Sequence, residues 1–403
     1  MTSRIVQRLQ QHNRTHGLPT RVWGRHAHEA VRQALEYQKI PFPSRTPACE
    51  ACCEIFTEPL ETQTQFDAEV TEDIHGFIKN NKQIPDCRHT ILRAVAGRIE
   101  NWHGHHILYQ ADQPLYNYSS TFAPLHLMFA NETFQKPPVA HFESVFCFFS
   151  DINPLNYCHF FVDWISRVHA VRQIPTPVKV LVFPEITQHT FHSSFFTRLQ
   201  AWGFRVFFLK QGESLKADNI YLVTYKSDKV SGHPAFNCHR DTLAFLRDFW
   251  PETDHTKPPT RDILWISRPQ RRRLLDESAV IERLQKRYSL TCVDLSKISP
   301  PQQAELVSDH RAMMGVHGAG FANLCFLPPS SKILEIFCKN NGTPAFQLMA
   351  TAMGHGAYAY VGRRVDRAHP NYPDIHVDPD RLVSFIDSVM NNSAPLAAPS
   401  IAP

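Results

Sequence analysis

His159 and Asp163 stand four residues apart in a segment whose apolar residues have helical spacing. Side chains at positions i and i+4 share one face of a helix, so the carboxylate can orient the imidazole and tune its proton affinity. Such a pair suits a general base. Asn156 precedes the pair, and Arg167 continues the same face eight positions after His159. An ion pair on a polar helix surface would give the same spacing, so both interpretations stay open.

A glycine-rich turn of His317, Gly318, Ala319 and Gly320 follows an apolar segment and precedes a short helical segment that contains Asn323. Glycines let the backbone approach a ligand closely, and a helix N-terminus offers N–H groups and a positive dipole end to phosphate. His317, at the predicted strand end, can donate to a phosphate or to a sugar hydroxyl. A tight strand-to-helix turn without a ligand is the alternative interpretation.

Arginines cluster directly after another apolar segment, at Arg268 and at residues 271–273. Arg268 and one of these three arginines can clamp a pyrophosphate through paired N–H donors. The alternative is a solvated basic loop without a ligand.

Glu335 interrupts the apolar segment 332–337. A carboxylate in such a strand is costly unless its oxygens are satisfied. At the strand end it can accept hydrogen bonds from two ribose hydroxyls of a nucleotide. A glutamate at an exposed strand edge would show the same pattern.

Strand-like and helix-like segments alternate from about residue 105 onwards, which predicts an α/β fold. In the first half the predicted strands are 106–110, 144–149, 178–183, 205–209 and 219–223, and the predicted helices are 157–172, 190–202 and 240–250. In the second half the predicted strands are 263–266, 290–294, 312–316, 332–337 and, as the last strand, 357–361. The predicted helices there are 276–288 with Asp276 as N-cap, 301–309, 320–325, 343–353 and 379–390.

Residues 251–259 are polar and include three prolines, which is typical of an interdomain linker. The sequence therefore predicts an N-terminal segment of unassigned role at 1–100, an α/β domain at 101–250, the linker at 251–259, a second α/β domain at 260–392 and a disordered tail at 393–403.

Length and composition set further limits. A chain of 403 residues with 43% hydrophobic residues suits a two-domain globular protein. The net charge of +4 comes from scattered residues and does not indicate nucleic-acid binding. No stretch approaches the roughly 20 apolar residues of a membrane span, and the N-terminal stretch lacks the apolar region of a secretory signal. We therefore expect a cytoplasmic protein with reduced cysteines.

A group of cysteines near the N-terminus resembles half of a zinc site. Cys49, Cys52 and Cys53 form it, and Cys87 and His89 are its candidate partners. A single such group without a second well-spaced pair is weak evidence for metal, so incidental cysteines in a packed segment are the favoured interpretation.

Taken together, these segments resemble glycosyltransferase family 61, also called the DUF563 group. That family includes bacterial capsular-polysaccharide enzymes, plant xylan-modifying transferases and animal protein O-GlcNAc transferases. The resemblance is carried by residues 156–163, 266–268 with the region around Arg273, 317–324 and 327–336. It is specific over 262–337, looser over 141–261 and absent before residue 100. Phe321 is a mild departure, since many relatives carry leucine there.

The resemblance implies a GT-B-like architecture, in which two Rossmann-like domains face each other across a cleft. It also implies a transfer that inverts the anomeric carbon, with His159 or Asp163 as the base and Glu335 at the ribose of the donor. The implied donor site comprises Arg268, Arg273, His317, Gly318, Ala319, Gly320, Asn323 and Glu335, and Asn156 and Arg167 lie on the acceptor side.

The same resemblance implies the substrates. The donor is a nucleotide sugar, UDP-linked and carrying a hexose or a pentose, and the acceptor is a glycan or a protein. Helix dipoles and basic side chains stabilise the leaving diphosphate in such enzymes, so no metal and no cofactor are expected. Peripheral membrane association and the oligomeric state are left open.

Three alternatives compete with this hypothesis. The first is a catalytically silent GT-B-like protein that acts as a binding module or scaffold. The second is a zinc-dependent protein built on the N-terminal cysteines. The third is another nucleotide-sugar enzyme on the same fold, such as an epimerase, which product analysis would distinguish from a transferase.

Overall fold

The fold is known from a computed structural model, which describes residues 50–55, 60–61, 65–66, 83–84, 88–102, 105–110, 113–114, 137–148, 154–174, 176–185, 190–226, 240–250, 253–254, 257–338, 345–365 and 373–392. The first 49 residues and the predicted tail at 393–403 lie outside this set.

The strands are, in chain order, β1 Glu50–Ile55, β2 Leu60–Glu61, β3 Gln65–Phe66, β4 Gln83–Ile84, β5 Arg88–Trp102, β6 His105–Gln110, β7 Gln113–Pro114, β8 His141–Cys147, β9 Val180–Pro184, β10 Arg205–Leu209, β11 Ser214–Lys226, β12 Arg261–Ile266, β13 Leu290–Val293, β14 His310–Val316, β15 Lys332–Cys338, β16 Gly356–Val365 and β17 Asp374–His376. The helices are α1 at residues 157–171, α2 Thr190–Ala201, α3 Arg240–Arg247, α4 Glu277–Gln285, α5 Pro300–Ser308, α6 Ala345–Ala352 and α7 Pro379–Asn391, with 3-10 helices at Leu295–Lys297 and Ala319–Phe326.

The first sheet has the strand order β10-β9-β8-β11-β5-β6-β7, with β1 also paired to β5. Strands β10, β9, β8 and β11 are parallel, and β11, β5, β6 and β7 are antiparallel. The sheet also carries its own apolar cluster, which is separate from the largest one. The long strand β5 begins before residue 100, in the segment to which the sequence assigned no role. It was missed because buried Arg98 and Glu100 interrupt its apolar pattern.

The second sheet has the order β13-β12-β14-β15-β16-β17 and is parallel from β13 to β16. The chain leaves β12 through α4 to reach β13 on one side, then returns through α5 to β14 on the other side. Helix α4 packs into the apolar cluster on one face of the sheet and α5 into the cluster on the opposite face. The carboxyl ends of β12 and β14 therefore form a topological switch point, where open α/β sheets bind their ligands.

The α/β class predicted from the sequence is confirmed, and the strand predicted at 205–209 matches β10 residue for residue. One prediction about the second half was wrong. Strand β16 is followed by the three-residue strand β17, which pairs with it antiparallel and is too short to show a pattern. Asp276 occupies the N-cap position of α4, as predicted, but its side chain makes no capping bond, because its carboxylate accepts the Val377 N–H at 3.0 Å and pairs with His376.

The two sheets share one apolar core. The largest buried cluster contains residues of both halves, and Phe161 of α1 stacks on Phe326 with ring centroids 5.6 Å apart. Helix α1 thus lies against the 3-10 helix Ala319–Phe326, so that elements carrying two of the sequence motifs are in contact. No helix among the described residues is long and apolar enough to cross a membrane.

Candidate functional site

The switch point of the second sheet brings two of the sequence motifs together. The arginine-rich loop begins directly after β12, and the glycine-rich turn begins directly after the neighbouring strand β14. Gly315 allows this close approach: it pairs with Ile266 at a φ of +150°, and a Cβ there would stand 2.6 Å from the Ile266 carbonyl oxygen. Only glycine fits a backbone that is both left-handed and this crowded.

Arg268 reaches across the switch point to the turn. Its Nη1 donates to the His317 carbonyl oxygen at 2.6 Å, and Arg272 donates to the same oxygen at 3.4 Å. The Arg268 guanidinium occupies the space beside Gly318, where a Cβ would lie 1.5 Å from Nη1. Gly318 has an extended backbone, so the requirement for glycine here is one of space. The result is a concentration of positive charge at the start of the 3-10 helix.

His317 is held by a buried carboxylate. Its Nδ1 lies 2.7 Å from Glu335 Oε1, and Gln347 donates to the other carboxylate oxygen. The imidazole also stacks on Phe337, with ring centroids 5.1 Å apart. With Nδ1 engaged by the carboxylate, Nε2 is the ring nitrogen that can meet a ligand.

Glu335 lies in the middle of β15 and is 0% exposed, so the interpretation as a glutamate at an exposed strand edge is wrong. Burial raises the pKa of this carboxyl, and the neighbouring His317 and the Gln347 amide oppose that rise. Both carboxylate oxygens have partners inside the protein. The geometry therefore suits Glu335 to orienting His317.

Asn323 and Arg273 make contacts that hold structure together. The Asn323 amide donates to Gln303 Oε1 at 2.8 Å and to the Gly320 carbonyl at 3.0 Å, and the residue is fully buried. Arg273 faces β17, where its backbone N–H and guanidinium both bind the Asp374 carboxylate, the latter at 2.7 Å. The structure thus brings Arg268 and Arg272 to the turn, while Arg273 anchors the loop.

The His159–Asp163 pair forms as the sequence predicts, with Nδ1 and Oδ2 2.9 Å apart. It lies in a π-helical turn, His159–Trp164, an irregularity frequently found at functional sites. The Asp163 side chain is 3% exposed and that of His159 is 22% exposed. A pair whose carboxylate is buried is not a solvated surface ion pair, so that alternative is wrong.

Asn156 and Arg167, which flank the His159–Asp163 pair, are placed differently by the structure. Asn156 accepts the Cys158 N–H through its side chain at 3.0 Å, which caps the start of α1. Arg167 ends a 3-10 turn and is buried. Helix α1 changes from a π turn to a 3-10 turn between His159 and Arg167, so a regular 3.6-residue period does not describe their relative orientation.

A direct hydrogen bond connects the two motifs. The Tyr157 hydroxyl, two residues before His159, donates to Asn323 Oδ1 at 2.6 Å. Among the described residues, no group of three or more His, Cys, Asp or Glu side chains is arranged to hold a metal ion. The side chains of the cysteines in the zinc hypothesis, Cys49, Cys52, Cys53 and Cys87, lie outside the described residues.

Comparison with protein families finds a similarity over part of the chain. The family model described as Glycosyltransferase 61 matches residues 157–334, from the first turn of α1 to the middle of β15. The matched segment contains the His159 motif, the arginine-rich loop and the glycine-rich turn. The resemblance predicted from the sequence is therefore confirmed over this segment, which is similar to glycosyltransferase family 61. A search of curated proteins found no match.

The family match supports a glycosyltransferase and implies a donor and an acceptor substrate. Sequence reasoning missed Gly315, Tyr157, Gln303 and Gln347 as residues that shape the site. Gln347 could have been found, because it is a lone amide in the apolar helix α6, and buried polar groups require partners.

Proposed function

We propose that the chain is an inverting glycosyltransferase with a GT-B-like arrangement, which transfers a sugar from a UDP-linked donor to a hydroxyl of a glycan or protein. The observation that carries the proposal is the convergence of Arg268 and Arg272 on the His317 turn at the switch point. Cationic donors at the carboxyl ends of parallel strands, next to a helix start, are suited to a diphosphate.

The donor diphosphate would bind between these guanidiniums and the backbone N–H groups that begin the 3-10 helix Ala319–Phe326. A guanidinium has five N–H donors, so a bond from Arg268 to a carbonyl is compatible with further bonds to phosphate oxygens. These cations would stabilise the charge that develops on the leaving UDP, so the proposed transfer requires neither a metal nor a cofactor.

His317 would add a further polar contact to this site. Glu335 accepts from Nδ1–H, which leaves Nε2 of the neutral ring to accept a hydrogen bond from a sugar hydroxyl, and Gln347 fixes the carboxylate. We accordingly assign Glu335 to orienting His317, in place of the ribose contact that the family resemblance implied.

His159 is the proposed base. Its Nε2 would take the proton of the acceptor hydroxyl while that oxygen forms a bond to the anomeric carbon. The bond from this carbon to the diphosphate oxygen breaks on the opposite face, which inverts the configuration, and UDP leaves. Asp163 would hold the imidazole in the required tautomer and stabilise the imidazolium.

A thermal-shift screen against UDP, other nucleotides and UDP-sugars tests the donor site. A ligand at 100 times its dissociation constant stabilises a fold by about 2.7 kcal/mol, which is readily measured. We expect a shift with UDP and with one class of UDP-sugar, and no shift in Arg268→Ala. Arg271→Ala, an exposed arginine of the same loop, is the matched control and should behave as the unmodified protein. No shift with any nucleotide would contradict the proposal.

A further inference from the structure

Three polar side chains form a continuous chain of hydrogen bonds from α1 into the second sheet. The Tyr157 hydroxyl donates to Asn323 Oδ1 at 2.6 Å, and Asn323 Nδ2 donates to Gln303 Oε1 at 2.8 Å. Gln303 Nε2 donates in turn to the carbonyls of Leu295 and Ile298, at 2.9 and 3.0 Å. We call Tyr157, Asn323 and Gln303 the amide relay.

The two amide side chains of the amide relay are buried, and each of the participating amide oxygens accepts a hydrogen bond. Asn323 is 0% exposed and Gln303 is 4% exposed. Burial raises the pKa of Tyr157 well above its ordinary value, so its hydroxyl keeps the proton that it donates. Loss of this donor would leave the Asn323 oxygen unpaired in a dry interior, which is costly.

The position of the amide relay connects the two proposed centres. Tyr157 lies in the first turn of α1, directly before the π-helical turn that carries His159 and Asp163. Asn323 lies in the 3-10 helix that begins at the glycine-rich turn. The Tyr157 ring is itself fixed by T-shaped packing on Phe191, with centroids 5.5 Å apart.

We propose that Tyr157 is a positioning residue, which holds the His159 turn in register with the donor turn and transmits donor-site occupancy to it. This inference rests on the proposed function for its ligand, but the hydrogen bond itself can be tested without one. A π-helical turn is rare and depends on tertiary support, and in α1 that support includes a direct hydrogen bond to the donor side.

Hydrogen–deuterium exchange of the full chain, read at residues 157–164 and 317–326, tests the link. Tyr157→Phe removes the hydroxyl and keeps the ring. Tyr288→Phe is the matched control, because it removes a hydroxyl that donates to Asp387 at 2.8 Å, between α4 and α7. Without ligand, we expect Tyr157→Phe to accelerate exchange in both segments by about tenfold, and Tyr288→Phe to change neither. Unchanged exchange in Tyr157→Phe overturns the proposal.

Saturating UDP provides the second measurement. In the unmodified protein and in Tyr288→Phe, UDP should slow exchange at 317–326 and at 157–164. In Tyr157→Phe, UDP should slow exchange at 317–326 but not at 157–164. A general loss of stability would not produce this difference between the two segments. Equal protection of 157–164 in all three proteins overturns transmission through Tyr157. If UDP protects nothing in the unmodified protein, the proposed function fails, while the ligand-free comparison still decides whether Tyr157 links the two segments.

Discussion

His317 and His159 each pair through Nδ1 with a buried carboxylate, but the backbone supplies the two carboxylates in different ways. Glu335 comes from the strand next to that of His317, at 2.7 Å, whereas Asp163 comes from the same helical turn as His159, at 2.9 Å. The first pair depends on the register of the parallel strands β14 and β15. The second pair depends on a π-helical turn that is supported by a hydrogen bond to another part of the chain. The two histidine–carboxylate pairs should therefore be sensitive to different substitutions.

The largest effect should follow substitution in the His159 centre. His159→Gln and Asp163→Asn should each lower the transfer rate by about 10²- to 10⁴-fold, the usual contribution of a general base, and leave UDP binding unchanged. The measurement is the initial rate with a donor found in the thermal-shift screen.

The control for this experiment is another histidine paired with aspartate in the same half. His141 lies 2.9 Å from Asp218, but both side chains are more than half exposed. His141→Gln should keep the full rate. If His159→Gln also keeps the full transfer rate, His159 is not the base. The comparison between the two histidine–carboxylate pairs then has no bearing on catalysis.

The free energy of unfolding should change most on substitution in strand β14, directly before His317. Gly315→Ala forces a methyl group against the Ile266 carbonyl at a positive φ, and we expect a loss of about 3 kcal/mol in the free energy of unfolding. Gly354 also has a positive φ, but a Cβ added there would meet nothing within 4 Å, so Gly354→Ala should cost about 1 kcal/mol. Urea denaturation measures both, and equal costs would show that the close approach of β12 and β14 is not required.

Gly318→Ala should change UDP binding without changing the stability of the fold. The added methyl group meets only the end of the flexible Arg268 side chain, so the fold should be nearly unaffected. Displacement of that guanidinium should weaken UDP binding by about tenfold, the effect of one charge-assisted hydrogen bond. Calorimetric titration with UDP provides the measurement, with Gly354→Ala as the control. Unchanged affinity would remove Arg268 from the donor site.

The smallest expected effect is a change in pH dependence. Burial raises the pKa of Glu335 above its ordinary 4.5, so the native state holds this proton more tightly than the unfolded chain does. The resulting stabilisation is full below about pH 4.5 and falls as the pH rises through the folded-state pKa. Glu335→Gln lacks this titration and should gain stability relative to the unmodified protein as the pH rises. Parallel stability curves would mean that burial does not perturb this carboxyl.

The sequence predicted the elements that carry the site better than the contacts within it. Strand and helix patterns placed β12, β14 and α1 correctly, and i,i+4 spacing predicted the His159–Asp163 pair, because both signals are local. The partner of His317 was not predictable, since Glu335 lies 18 residues further along the chain and the two residues meet only through the register of β14 and β15. The burial of Asn323 and the pairing of Arg273 with Asp374 also depend on tertiary contacts. Metal independence and a cytoplasmic location stay predictions.

The apolar core shared by the two sheets has a consequence for folding. Phe161 and Phe326, which stack on each other, come from opposite sides of residues 251–259, so the halves bury each other's aromatic surface. We expect the chain to unfold in a single cooperative transition, with equal midpoints by fluorescence and circular dichroism. Expressed separately, each half would expose an aromatic face and aggregate. A single transition would mean that the segment that resembles a linker in sequence joins two parts of one folding unit.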